Sequence, residues 1–164
     1  MTFMELAKAR YSVRGFKDTP VEEEKLSAIL EAGRIAPTAC NNQPQKIYVV
    51  KSADMVAKMR EVSPCTYNAP VILVVCYDTA AQAAHFGEMD ATIVCTHMML
   101  EAWEQGVGSC WVGMFDPEKL KAALSMPENI CPAALLPIGY AADGVQPAPL
   151  HTTYRDYDET ITVV

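Results

Sequence analysis

The sequence predicts an α+β fold: a mixed sheet of about four or five strands flanked by helices, with a long central apolar helix and an extended C-terminal tail. Three observations carry that reading. Short β-branched runs such as Val71-Ile72-Leu73-Val74-Val75 alternate along the chain with segments of helical period. Residues 89–105 are apolar on nearly every side of a helix, through Ile93, Val94, Cys95, Met98, Met99, Leu100, Ala102 and Trp103. Residues 146–164 turn proline-rich, then charged, and end in Ile161-Thr162-Val163-Val164. At 164 residues, one domain spanning 1–164 is the default.

Taken in order, Thr2-Phe3-Met4-Glu5 has the spacing of a capping box, so a short helix is expected to reach Ala9 and deliver Arg10 onto a loop. A second box, Thr19-Pro20-Val21-Glu22, places proline at the first position of another helix. Leu26, Ile29, Leu30 and Ala36 keep that helix's period, and Pro37 ends it. Pro37 to Pro44 reads as an ordered loop whose small and amide residues leave hydrogen-bonding groups free. Lys46 to Lys51 is a strand, Asp54 to Val62 an amphipathic helix, and Ala69 to Asp78 a central strand buried on both faces.

Thr79 to Glu88 is ambiguous. From Met89 to Gln105 a helix of about 25 Å follows. A helix so apolar belongs to a core and to a subunit interface at once. His97 in it is expected to be packed and hydrogen-bonded. Gly106 to Gly113 returns as a glycine-punctuated strand, Asp116-Pro117-Glu118 opens a helix reaching Ser125, and Ala133 to Tyr140 is the last strand. Pro137 in that strand suggests a bend or an edge. The closing Ile161-Thr162-Val163-Val164 suits an added strand, in its own sheet or a partner's.

Composition narrows the function. A net charge of −7 argues against nucleic acid and anionic membrane as partners. No apolar run approaches a membrane span, and the first residues show no secretory pattern. The six cysteines, at 40, 65, 76, 95, 110 and 131, include no Cys-x-x-Cys pair, so neither a metal site nor a dithiol motif is expected. Their place in apolar runs favours a reducing cytoplasm. Against this acidic background, residues 1–17 carry Lys8, Arg10, Arg14 and Lys17 with only Glu5 opposing them. Arg10, Ser12 and Arg14 alternate, so an extended segment would send all three to one side. Two guanidinium forks and a hydroxyl suit a phosphate. A helix C-terminus that merely attracts cations is the other reading of the same residues.

Arg10-Tyr11-Ser12-Val13-Arg14, Ala36-Pro37-Thr38-Ala39-Cys40-Asn41-Asn42-Gln43-Pro44 and Gly108-Ser109-Cys110-Trp111-Val112-Gly113, in that order, resemble the FMN-dependent nitroreductase family. The resemblance runs over nearly the whole chain. It implies an NAD(P)H-dependent oxidoreductase that dimerises through the long helix, exchanges its tail with the partner, and holds FMN at the homodimer interface. By the same resemblance Arg10, Ser12 and Arg14 are phosphate and ribityl contacts, with Tyr11 among them. Pro37, Thr38 and Ala39 cover the flavin from the partner subunit, with Gln43 in the same loop. Asn41 bonds the pyrimidine edge of the flavin. Val112, Gly113 and Met114 bring backbone near its reactive nitrogen, and Arg155 completes the phosphate site from the tail. No side chain is assigned as a catalytic acid, because the chemistry resides on the flavin.

The sequence also departs from the family's pattern. Gln45 stands where many members have tryptophan, Cys40 where a small residue is common, Met114 where glycine is common, and Thr153 where some carry a second basic residue. The resemblance further implies ping-pong transfer from NADH or NADPH to a nitroaromatic, quinone or similar acceptor, without a separate Rossmann fingerprint. His85 and Phe86 are candidates for lining the acceptor pocket. Dehalogenation, flavin breakdown, enone reduction or non-enzymatic flavin carriage are the alternatives on the same fold.

Overall fold

The structure is a computed structural model and describes residues 1–164. Six helices and four strands follow in the order α1 (Phe3–Ala9), α2 (Glu23–Arg34), β1 (Gln45–Val50), α3 (Ala53–Val62), β2 (Val71–Asp78), α4 (Ala84–Glu104), β3 (Gly108–Ser109), α5 (Pro117–Leu124), β4 (Ile130–Gly139) and α6 (Tyr157–Thr160). The expected α+β arrangement is present. The sheet runs β1-β2-β4-β3 with every named pair antiparallel, and its one parallel element is a bridge between Ser12 and Ser109.

β2 explains the layering. Its side chains alternate between faces, so Leu73 and Val75 join one core with Leu26, Ile29, Val94 and Met98 of α2 and α4. Ile72 and Val74 join a second core with Met59 and Leu120 of α3 and α5. Burial on both faces leaves no room for a polar residue, which accounts for the unbroken apolar run.

The capping box at α1 forms as its sequence requires: Glu5 N–H donates to Thr2 Oγ1 and Thr2 N–H to Glu5 Oε2. The second expected box does not form. Val21 is drawn into the core and the Glu22 carboxylate accepts from the Tyr140 hydroxyl, so α2 starts only at Glu23. Asp116 caps α5 by accepting from Glu118 N–H and Lys119 N–H, each at 3.1 Å.

α4 starts five residues earlier than expected and takes in His85 and Phe86. Its 21 residues make it about 31 Å long. Gly87 permits that extension, because a Cβ there would collide with the Tyr77 ring. One face of α4 is buried, while Phe86, Met89 and Ile93 on another are 49%, 50% and 38% exposed. His97 is half-buried and its Nδ1 bonds the Ile93 carbonyl at 2.9 Å.

The expected strand from Gly106 to Gly113 shrinks to β3 plus a bridge between Val112 and Leu135. Between them Cys110 N–H donates to Pro137 O, but Pro137 has no N–H to return the bond, so the ladder breaks there. β4 is therefore a central strand, not the edge that Pro137 suggested. The last four residues pair with no strand here, and the tail beyond His151 is exposed. No helix is long and apolar enough to cross a membrane.

Candidate functional site

The segment after α1 lies along the outer edge of β3. Val13 N–H donates to Ser109 O at 2.9 Å, and Gly108 makes room, since a Cβ on it would sit 2.7 Å from Val13 Cγ2. Val13 is fully buried, and the Tyr11 ring packs edge-on against Trp103 and His151. Arg10, Ser12 and Arg14 take the alternate positions, as the extended reading requires.

Ser12 pairs with Ser109 in a parallel bridge, so Arg10, Ser12 and Arg14 share one side of the segment that borders β3. Burial pushes the Cys110 thiol up, and the positive charges of Arg14 and Arg10 act in the opposite direction. None of the five ion pairs in the chain uses Arg10, Arg14 or Arg155, although carboxylates outnumber basic residues. Beside them Ser109 is 1% exposed and its hydroxyl has no hydrogen-bond partner. Unpaired guanidiniums with hydroxyl donors fit the phosphate of FMN, which needs several charge-assisted bonds.

Val112, Gly113 and Met114 continue from this edge. Val112 exchanges both backbone bonds with Leu135, and Ser63 Oγ donates to Met114 O at 2.5 Å. The Met114 side chain is exposed. Residues 110–114 thus pass from the arginine cluster to an accessible stretch of backbone.

The second candidate group is a strained loop. Cys40, Asn41 and Gln43 have φ of 53°, 54° and 49°, a region non-glycine residues seldom occupy. Thr38 Oγ1 accepts from Gln43 N–H, and Thr38 O accepts from Asn41 N–H. Ala39 N–H donates to Asp90 Oδ1 at 2.8 Å, while Gln82 Nε2 reaches both Ala39 O and Asp90 Oδ2. The Asn41 side chain points out with no partner in the chain, and Pro37 is exposed beside it.

One chain does not bring the two groups together. The loop precedes β1, whereas Arg10, Ser12 and Arg14 flank β3, and three strand spacings of the sheet amount to about 14 Å. Along α4 the loop is tied to Asp90 and the N-terminal segment to Trp103, about 20 Å apart. Arg155 lies on the exposed tail among Thr153, Tyr154 and Tyr157, with no hydrogen bond or ion pair to the N-terminal segment. His85 and Phe86 lie together at the start of α4, rings 5.2 Å apart and exposed. A cleft of about 490 Å³ between α2 and α3 contains none of the candidate residues.

Sequence reasoning passed over Ser109 and Cys110, which stand within the glycine-rich stretch, where the resemblance drew attention to its end.

Residues 7–65 and 62–140 match the sequence model of the nitroreductase family. A protein of Methanothermobacter thermautotrophicus, named NADH dehydrogenase/NAD(P)H nitroreductase, is 31% identical over 151 residues, which cover 87% of this chain and 79% of that one. A nitroreductase family protein from Clostridium difficile 630 superimposes with a TM-score of 0.90 at 35% identity, over 99% of this chain and 98% of the other. An FMN-dependent nitroreductase from Clostridium difficile R20291 superimposes with a TM-score of 0.85 at 25% identity, over 98% of each chain.

Proposed function

The chain belongs to the nitroreductase family, and we propose that it is an FMN-dependent oxidoreductase that takes hydride from NADH or NADPH and reduces small acceptors such as nitroaromatics and quinones. The observation that carries this reading is the alternating row of Arg10, Ser12 and Arg14 along the β3 edge, with both arginines free of carboxylates. FMN, when bound, supplies the hydride chemistry, and one face used in turn by nicotinamide and acceptor gives ping-pong kinetics.

The protein's part is to hold and orient. Arg10 and Arg14 neutralise the phosphate, and Ser12 and the unpartnered Ser109 hydroxyl donate beside them. The outward amide of Asn41 donates to the pyrimidine edge, where negative charge grows on reduction. The backbone of Val112, Gly113 and Met114 borders the reacting ring.

The split between the two groups supports a homodimer, in which the loop of Pro37, Thr38, Ala39, Asn41 and Gln43 completes the partner's site. The exposed stripe of Phe86, Met89 and Ile93 on α4 suits that interface, and the tail with Arg155 suits an exchanged arm. The test is the absorbance spectrum of the purified protein, before and after anaerobic NADH or NADPH. A yellow protein bleached by either nucleotide and recoloured by a nitroaromatic supports the reading. A colourless protein that ignores added FMN overturns it.

A further inference from the structure

The tail crosses back over the start of the chain before it runs free. Two overlapping turns shape that crossing: His151 N–H donates to Ala148 O at 2.8 Å and Thr153 N–H to Leu150 O at 3.1 Å. From them His151 Nε2 donates to Lys8 O at 3.2 Å, across 143 residues of sequence. Lys8 stands in the last turn of α1, where the final carbonyls have no partner inside the helix and take donors from outside. α1 has no buried residue, so a bond of this kind weighs heavily in holding it. The His151 ring also meets Tyr11 edge-on, centroids 6.2 Å apart, and Tyr11 meets Trp103 of α4 in the same way at 5.2 Å. His151 is the last residue of the chain that is not exposed.

We propose that His151 is a positioning residue for the phosphate end of the site, acting through Arg10. Its two contacts fall on Lys8 and Tyr11, so they hold the backbone on both sides of that arginine. Beyond Tyr11 the bond from Val13 N–H to Ser109 O fixes the segment at 2.9 Å. Before Arg10, where α1 lies on the surface, His151 does the same. Arg10 is half-buried and makes no ion pair, and a long side chain that starts from a fixed backbone loses less freedom when it grips an anion. An imidazole suits the place because it offers an N–H donor and an aromatic edge in one planar group. The tail thus has two parts: up to His151 it steadies Arg10 of its own chain, and the arm beyond it, with Arg155, is left for the other subunit of the proposed dimer.

The inference rests on the FMN reading, and its test separates the two. Apo-protein is titrated with FMN and with riboflavin, which lacks the phosphate, and the flavin fluorescence is followed. His151→Ala removes both contacts, and its FMN dissociation constant should rise roughly three- to tenfold while that for riboflavin moves less than twofold. His151→Phe keeps the aromatic edge and His151→Gln keeps a side-chain N–H donor, so each should recover part of the loss. On an Arg10→Ala background, adding His151→Ala should change FMN affinity almost not at all, because the two residues act as a unit; on an Arg14→Ala background the loss should persist. Unchanged FMN affinity in His151→Ala, equal losses for both flavins, or the same loss on both arginine backgrounds overturns the inference and leaves the FMN reading standing. A wild-type protein that binds neither flavin overturns both.

Discussion

Ala39 N–H donates to Asp90 Oδ1 at 2.8 Å, across 51 residues of sequence. Asp90 is 2% exposed on the buried side of α4, and its other oxygen accepts from Gln82. A carboxylate in that setting needs its donors, and they come from the loop that carries Asn41 and from Gln82 beside it. The strained loop is thus held by a buried anion. Asp90→Ala should strand the Ala39 N–H and the Gln82 amide, lowering stability by about 1–3 kcal/mol. Urea unfolding measures this. The same variant should weaken FMN binding through disorder at Asn41, and Asp90→Asn, which keeps an acceptor, should lose less on both counts.

The arginine cluster predicts a loss confined to the phosphate. Arg10→Ala and Arg14→Ala should each weaken FMN binding by about 1.5–3 kcal/mol, the range for a charge-assisted hydrogen bond. Riboflavin affinity should barely move. Isothermal titration of the apo-protein with both ligands decides it, and unchanged FMN affinity in both variants removes the phosphate assignment.

The course of the segment beside β3 was legible in the sequence because it depends on alternation. An extended Arg-Tyr-Ser-Val-Arg segment must send residues 10, 12 and 14 one way and 11 and 13 the other, whatever surrounds it. The central strand was legible for the same reason, since burial on both faces demands an unbroken apolar run. What failed depended on tertiary partners. The cap at Thr19 lost to burial of Val21, and the strand after Gly108 was cut by a missing N–H on a different strand, at Pro137. The left-handed backbone of Tyr67 had no local signal at all, because Phe16 N–H fixes it from a distant part of the chain.

Gly87 offers a prediction about packing alone. Alanine there gains up to about 1 kcal/mol in helix propensity. Its Cβ would lie no more than 3.0 Å from three atoms of the Tyr77 ring, and a half-buried ring in a strand cannot step aside cheaply. Overpacking of this kind costs about 1–3 kcal/mol. Gly87→Ala should therefore lower the melting temperature by calorimetry. A rise would mean that the ring moves freely.

Stability should fall in alkali through Cys76. Burial, then the nearby Cys131, pushes its thiol from an ordinary 9.0 up to about 12. Below pH 9 both folded and unfolded chains hold this proton, so the thiol contributes no pH dependence. From pH 9 toward 12 the unfolded chain releases it while the folded chain keeps it, and stability declines by up to about 1.4 kcal/mol per pH unit. Urea unfolding of wild type and Cys76→Val at pH 8, 9.5 and 10.5 isolates the effect. The gap between the two proteins should change steadily as pH rises, wild type losing more, and parallel curves would show that the thiol is not held neutral.

The tail makes the most demanding prediction, because its chemistry and its exposure disagree. Leu150, Tyr154 and Tyr157 are 75%, 71% and 71% exposed, an unfavourable place for three large side chains in an isolated chain. Its hold on its own body is slight: His151 Nε2 meets Lys8 O at 3.2 Å, and its ring stands edge-on to Tyr11. On the proposed homodimer such an arm would gain stability by lying on the other subunit, with Arg155 added to the proposed phosphate site of Arg10 and Arg14. Truncation after Gly144 should then release FMN and convert a dimer to monomer together, read by light scattering and by the flavin absorbance of the same peak. Arg155→Ala should weaken FMN alone and leave the dimer intact, which separates the charge from the arm. A truncated protein that stays dimeric and yellow would show that the tail serves neither subunit.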